Sequence, residues 1–337
     1  MEQVLSQYVL FLGKTLTVVV AVLAVVLVIA RLRHKHRADD HIEVNKLNDK
    51  YEQMGQALQA AVLSKHQYKK EIKQLKHKKK DADKQGQSGA ARKRIYVLNF
   101  EGDIKASAVS NLREEITAIL TVAGPEDEVF VHLESGGGMV HAYGLATSQL
   151  QRLKNRGIPL TVSVDKVAAS GGYMMACVAD RLIAAPFAII GSIGVIAQLP
   201  NFNRLLKKNN IEFEQITAGE YKRTLTVFGE NTEAGRNKLK EEIEDTHVLF
   251  KDLIALHRKQ VDLDRVATGE YWYGTRALEL KLVDALLTSD DFLLQASDGA
   301  DLYQVSYIEK RRLGGRLLSL MPRSLQKMAP AWRSWTW

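Results

Sequence analysis

The period of the apolar positions switches repeatedly between two and about 3.6 along the central part of this chain, and each switch predicts a new element. Residues 95–100 read as a strand, 109–120 as an amphipathic helix, 129–133 as a strand, 140–153 as a helix and 160–164 as a further strand. Repeated strand–helix units predict an α/β domain on a mostly parallel sheet. In such sheets chemistry collects in the loops at the carboxyl ends of the strands. Two loops stand out there, Glu134-Ser-Gly-Gly-Gly138 and Val167-Ala-Ala-Ser-Gly-Gly172.

Outside this region the pattern changes in kind. From 8 to 30 the only charge is Lys14, and 15–30 are almost wholly apolar, which predicts a helix able to cross roughly 30 Å of hydrocarbon with Lys14 reaching toward an interface. Arg31, Arg33, Lys35 and Arg37 follow with no small-residue cleavage site, so an uncleaved single-pass anchor is expected, and its basic flank favours a cytoplasmic remainder. Residues 41–85 are charged, with Leu47, Tyr51, Met54, Leu58 and Val62 forming a thin helical stripe suited to a spacer or an oligomer contact rather than to a core. The stretch 86–90 reads as a flexible linker. Four regions are therefore expected: an anchor and basic flank at 1–40, a charged spacer and linker at 41–93, a catalytic domain at 94–290, and an extension at 291–337.

Three later segments complete the pattern. The uncharged run 182–200 is long enough to imitate a second span, but Pro186, Gly191 and Gly194 break it, and a buried strand–loop–strand is expected instead. Residues 231–259 read as a charged helix, and 272–284 as a turn and helix that close the domain. The tail beyond 311 interleaves Arg312, Arg316, Arg323 and Arg333 with Trp332, Trp335 and Trp337, a composition suited to a membrane interface or to a disordered end.

Composition narrows the function classes. With 337 residues and 46% hydrophobic content the chain can bury a sizeable core, so a disordered protein is excluded. Its single cysteine, Cys177, rules out an intramolecular disulfide, and the neighbours Met175, Ala176 and Val178 predict a buried thiol. The net charge of +8 owes much to the lysine-rich run 76–80 with Lys69, Lys70 and Lys73. Without interleaved aromatic residues this run is read as a segment drawn to anionic lipid rather than to nucleic acid. No histidine, cysteine or acidic cluster has metal-ligand spacing, and neither GxGxxG nor GxxxxGK is present, so no metal, nucleotide or other cofactor is expected.

The two glycine-rich loops carry the candidate chemistry. Bare backbone at 136–138 can approach a substrate and direct N–H groups at a developing negative charge, and a plain glycine turn fits the same residues equally. Ser170 stands at the start of a short apolar helix, where a serine commonly serves as an N-cap. Gly171 and Gly172 leave room beside it for a carbonyl group. The surrounding residues do not form the GxSxG elbow, which disfavours an α/β-hydrolase triad. Lys166 and Lys222 are both candidate bases for Ser170, while His141 and Asp180 are read as surface or structural positions.

Taken in order, Glu134-Ser-Gly-Gly-Gly-Met-Val140, Ala169-Ser-Gly-Gly-Tyr173, Gly191-Ser-Ile-Gly194, Thr217-Ala-Gly-Glu-Tyr-Lys222 and Gly274-Thr-Arg-Ala-Leu-Glu-Leu-Lys-Leu-Val-Asp284 resemble the signal peptide peptidase A family of serine–lysine peptidases. The layout is similar to its SohB-type inner-membrane branch, and the resemblance covers residues 94–287. It implies an α/β fold of the Clp protease/crotonase-like kind, a spiral of β-β-α units, here with an N-terminal transmembrane helix. It also implies a serine endopeptidase acting on extended apolar peptides, with Ser170 as nucleophile, Lys222 as general base and Ser192 orienting the lysine. Gly137 and Gly171 match the oxyanion hole, and Gly136, Gly138 and Met139 line the substrate path. One departure is visible: Gly136 stands where the family loop usually has proline, which loosens the loop. The expected partners are peptide substrates, membrane lipid and further copies of the chain in a homo-oligomer. The expected location is the bacterial inner membrane, where the resemblance allows a periplasmic domain and the basic flank favours a cytoplasmic one. The alternatives are a peptide-binding scaffold that does not cut and, with less support, a crotonase-like acyl-CoA enzyme, whose chemistry does not need the Ser170–Lys222 pair.

Overall fold

The computed structural model describes residues 10–23, 40–73, 77 and 92–309. Residues 42–307 form one compact unit, and the remainder of the chain falls in a second. In the first unit the strands are β1 (His41–Lys46), β2 (Lys93–Gly102), β3 (Glu128–Ser135), β4 (Leu160–Val164), β5 (Val167–Ala169), β6 (Arg181–Ala184), β7 (Ile189–Gly191), β8 (Tyr271–Tyr273), β9 (Ala285–Leu286) and β10 (Ala300–Ile308). The helices of the described residues are α1 (10–23), α2 (Leu47–Val62), α3 (65–73), α4 (Val109–Leu120), α5 (Val140–Asn155), α6 (Gly171–Ala176), α7 (Asn203–Lys208), α8 (Glu233–His257), α9 (Leu263–Val266), α10 (Gly274–Glu279) and α11 (Ser289–Gly299).

The main sheet path runs β1-β10-β2-β3-β4-β6-β9, with parallel pairing from β10 through β9. From β3 a second path departs through β5 to β7 and on to the antiparallel β8. The strand pairs β4–β5 and β6–β7 thus each send their first member into the main path and their second into the side path. Strands covered on both faces read as continuous apolar runs, and all of β4 is buried, as are Val129, Phe130 and Val131 of β3. Alternate residues go to opposite faces. Leu98, Val131 and Val162 meet Leu112 and Ile116 of α4 and Leu150 of α5, whereas Val97 and Phe130 meet Leu293 of α11. Each such leucine or isoleucine contributes about 1.5–3 kcal/mol through burial.

Three expectations are corrected. Within the apolar N-terminal run a helix is described over 10–23. Among the described residues no helix is long and apolar enough to cross a membrane. The transmembrane helix, the lipid partner and the single-pass inner-membrane placement built on that run are therefore withdrawn. Residues 24–30 of the expected span, the basic flank at 31–37, most of the lysine-rich run, the linker at 86–90 and the arginine–tryptophan tail lie outside the described residues.

The spacer reading also gives way at its start. Leu47 is buried with Ile95, Phe130 and Leu302. Asn48 donates to the carbonyls of Ser297 and Ala300 at 3.1 and 2.9 Å and accepts from Leu302 N–H at 2.8 Å. Tyr51, half-buried, packs against the same cluster, while Met54, Leu58 and Val62 stay exposed. A third difference lies at the other end, where β10 pairs with β2, placing Ala300 opposite Lys93 inside the sheet rather than in an extension. The run 182–200 does form the expected strand–loop–strand, with Leu182, Ile183, Ala184 and Ile190 buried.

Candidate active site

The register of the side path assembles the candidate loops. Ser135 at the end of β3 pairs with Ala168 of β5, and Ala169 pairs with Gly191 of β7. Three sequence motifs separated along the chain thereby end on adjoining turns, the glycine loop after Ser135, the turn at Ser170 and the turn at Ser192.

At Gly137 the backbone adopts φ +86°, which strains any residue with a side chain. A Cβ there would lie 2.7 Å from both the Ala169 carbonyl oxygen and Gly171 N, and 2.9 Å from Ser170 Cβ. The loop therefore presses bare backbone directly onto the serine turn. Ser170 itself has φ 52° and ψ −119°, a region that costs a non-glycine residue of order 1–3 kcal/mol and recurs at functional sites. Its side chain makes no cap hydrogen bond to α6, so the bland N-cap role is not the one it fills. The turn is fixed by its backbone instead, with Ser170 N–H donating to Gly191 O at 2.7 Å and Met174 N–H to Ser170 O at 2.9 Å. Ser192 also has a positive φ, 51°, and its N–H donates to Glu270 O at 2.6 Å.

Gly137 N–H donates to Ser135 Oγ at 3.0 Å. Among the described residues the N–H groups of Gly136, Gly138 and Gly171 have no hydrogen-bond acceptor, so unpaired backbone donors stand on both the loop and the serine turn. Met139 N–H is tied to Ile104 O at 2.9 Å. The side chains of Ile104, Met139 and Val140 are exposed beside the loop, an apolar rim at the site.

The candidate bases separate clearly. Lys166 is exposed and paired with Glu134 at 2.9 Å, and that hydrogen bond raises its pKa, which disqualifies it as a neutral base. Lys222 is exposed in an irregular stretch between α7 and α8, with its N–H donating to Gly219 O at 3.2 Å. Its Nζ makes no hydrogen bond or ion pair with Ser170, Ser192 or any other described residue. His141 is exposed, and Asp180 serves the fold by accepting from Leu160 N–H at 2.9 Å and pairing with Lys154 at 2.8 Å. The structure therefore gathers Ser170, Ser192, Gly136, Gly137, Gly138, Met139 and Gly171 on adjoining turns, and shows no hydrogen bond or ion pair from Lys222 to any of them.

Two polar clusters beside the site escape the sequence reading. Asp165 accepts from His132 at 3.2 Å, from Ser289 N–H at 2.8 Å and from Ser289 Oγ. Burial pushes its carboxyl up, but these hydrogen bonds outweigh burial and hold it at about 2. The same contact raises His132 against the opposing effect of burial. The second cluster joins Ser135 to Tyr143, their oxygens 2.5 Å apart, and Tyr143 to Asp103 O at 2.8 Å. Ser135 sits inside the glycine-loop motif, yet spacing alone does not show where its hydroxyl points. Cys177 is buried as expected, and burial pushes its thiol up to about 12. Among the described residues no group of three or more histidine, cysteine or acidic side chains is arranged to hold a metal ion.

Comparison with known proteins identifies what this arrangement belongs to. Residues 3–150 match the model of the peptidase family S49 N-terminal region, and residues 152–303 that of peptidase family S49. The chain is 47% identical over 323 residues to "Probable protease SohB" of Haemophilus influenzae, covering 93% of this chain and 92% of that one. It is 55% identical over 236 residues to "Probable protease SohB" of Buchnera aphidicola subsp. Acyrthosiphon pisum, 70% of each chain. "Protease 4" of Haemophilus influenzae is more distant, at 28% identity over 57% of this chain and 32% of that one. With matches running from residue 3 to residue 303 and near-full-length similarity to the Haemophilus influenzae SohB protein, the chain is a serine peptidase of the serine–lysine type and belongs to peptidase family S49.

Proposed function

We propose that the chain hydrolyses internal bonds of extended peptides with apolar side chains, and that Ser170 carries the acyl group. The observation behind this reading is the strained Ser170 turn, wedged between the glycine loop and the Gly191–Ser192 turn by the pairings of β5. Ser170 Oγ attacks the peptide carbonyl, its proton passing to a neutral Lys222, and the tetrahedral oxyanion is taken by Gly171 N–H with the unpaired Gly138 N–H of the loop. Lys222 then returns the proton to the leaving amine, and water releases the acyl group. Ser192 orients the lysine. The apolar rim of Ile104, Met139 and Val140 supports a preference for apolar substrate residues.

This mechanism requires Lys222 to approach a Ser170 that it does not touch here. The stretch carrying it also exposes Ile211 and Ile216, and we assign their cover to a second copy of the chain, which brings the lysine to the serine. Covalent labelling by a fluorophosphonate followed by peptide mass spectrometry tests the nucleophile. The adduct is expected on Ser170 and absent from Ser170→Ala. An adduct on another serine, or none on the correctly folded chain, removes the reading and favours a peptide-binding relative that does not cut.

A further inference from the structure

The geometry points to Tyr143 as the positioning residue that holds the glycine loop against the Ser170 turn, an inference that rests on the reading of that loop and Gly171 as the oxyanion site. Tyr143 lies in the first turn of α5 and is fully buried. Its hydroxyl donates to Asp103 O at 2.8 Å and stands 2.5 Å from Ser135 Oγ. A carbonyl can only accept and a phenol has one proton; with that proton on Asp103 O, Ser135 donates to Tyr143 at 2.5 Å in preference to its other acceptor, Gly102 O, at 3.4 Å. With its own proton committed, Ser135 Oγ offers lone pairs to Gly137 N–H, which donates to it at 3.0 Å. The relay runs in one direction, from Gly137 N–H through Ser135 and Tyr143 to Asp103 O, and each member polarises the next.

The other end of Tyr143 reaches the nucleophile's side of the site. A Cβ built on Gly171 would fall 2.4 Å from Tyr143 Cγ and 2.8 Å from Cδ2, so the ring lies flush against that backbone. One side chain thus touches the turn after Ser170 with its ring and anchors the glycine loop with its hydroxyl. The glycine loop and the turn at Gly171 are thus held by the same side chain.

This arrangement supplies what the departure at Gly136 takes away. Proline would lock φ at that position, and glycine leaves it free. Three observations leave Gly136 open to proline. Its φ lies outside the left-handed region, its N–H has no acceptor among the described residues, and a Cβ would meet nothing within 4 Å. Ser135 before it ends a strand, the extended conformation that a residue preceding proline prefers. The hydroxyl relay replaces a covalent restraint with hydrogen bonds.

The test compares the full chain with Tyr143→Phe, which keeps the ring, and with Tyr143→Phe combined with Gly136→Pro. Hydrogen exchange over residues 135–139 is expected to speed up about tenfold in Tyr143→Phe and to return toward wild type in the double variant. The rate of fluorophosphonate labelling and kcat on an apolar peptide should fall about tenfold with KM unchanged, and recover with proline. Wild-type exchange in Tyr143→Phe overturns the proposal, and so does a loss of labelling that Gly136→Pro fails to rescue, since either makes Tyr143 an ordinary core residue. Exchange does not require catalysis, so if the wild type takes no label the peptidase reading fails while exchange still decides the role of Tyr143.

Discussion

Ser170 N–H donates to the Gly191 carbonyl at 2.7 Å, which ties the turn of the proposed nucleophile to the turn that carries Ser192. Gly191 has φ +104°, and a Cβ there would stand 2.9 Å from the Trp272 ring. Gly191→Ala is therefore expected to cost about 1–3 kcal/mol of stability and to slow labelling of Ser170 disproportionately. Urea unfolding and labelling rates measured on the same samples check this. Unchanged labelling in a destabilised variant would separate the two turns functionally.

The closing segment of the domain is held by Arg258, which is 2% exposed and makes a bidentate pair with Asp284 at 2.7 and 2.8 Å. Asp284 also accepts from Leu182 N–H at 2.7 Å. Asp284→Ala strands the guanidinium in the core and is expected to cost about 3–5 kcal/mol, more than Arg258→Met, which leaves the carboxylate partly in water. Denaturant midpoints of the two variants give the order, and a larger loss in Arg258→Met would contradict it.

The His132–Asp165 contact predicts a pH dependence of stability with a defined sign. His132 is raised in the folded chain, so its contribution is complete below the ordinary histidine pKa of about 6.5 and is lost as pH rises through the raised value. Asp165 is lowered to about 2, so its contribution is complete above the ordinary aspartate pKa of about 3.9 and is lost as pH falls toward 2. The difference in Tm between wild type and His132→Gln should be largest between about pH 4 and 6.5 and shrink above that window. A difference that grows toward pH 9 would show that the pair does not act through the imidazolium.

Burial of Cys177 predicts a thiol that reacts only on unfolding. Alkylation by iodoacetamide should be negligible in the native chain at pH 8 and complete in urea. Rapid native modification would mean that α6, which also follows Ser170, opens readily.

If a second copy supplies Lys222, mixing Ser170→Ala chains with Lys222→Ala chains after reversible dissociation should restore part of the turnover that each lacks alone. Mixtures as inactive as their parents would confine the dyad to one chain.

Much of the fold is legible in the sequence because the local signals agree. The helix at 109–120 and the strand at 160–164 fall where the apolar period places them, and the charged helix at 231–259 is the observed Glu233–His257 shortened at both ends. What escapes is set by long-range contacts. The junction of β5 with β3 is a single pairing, Ser135 with Ala168, and Asp165 meets Ser289 across 124 residues of sequence. The N-terminal run is corrected on a different ground, since among the described residues no helix is long and apolar enough to cross a membrane. At the site, the motifs single out Ser170, Ser192 and the glycine loop as candidates, which the pairings of β5 bring onto adjoining turns, but the position of Lys222 relative to Ser170 depends on a stretch with neither strand nor helix to fix it.

The central claim is that a neutral Lys222 activates Ser170, and Lys222→Arg tests it most directly. Arginine keeps a long cation but remains charged at any accessible pH and cannot take the serine proton. Turnover of an apolar internally quenched peptide should fall to the level of Ser170→Ala, by at least about a hundredfold, while light scattering shows unchanged assembly and Lys166→Ala retains wild-type turnover. Wild-type turnover by Lys222→Arg, above all with loss in Lys166→Ala, would contradict the assignment.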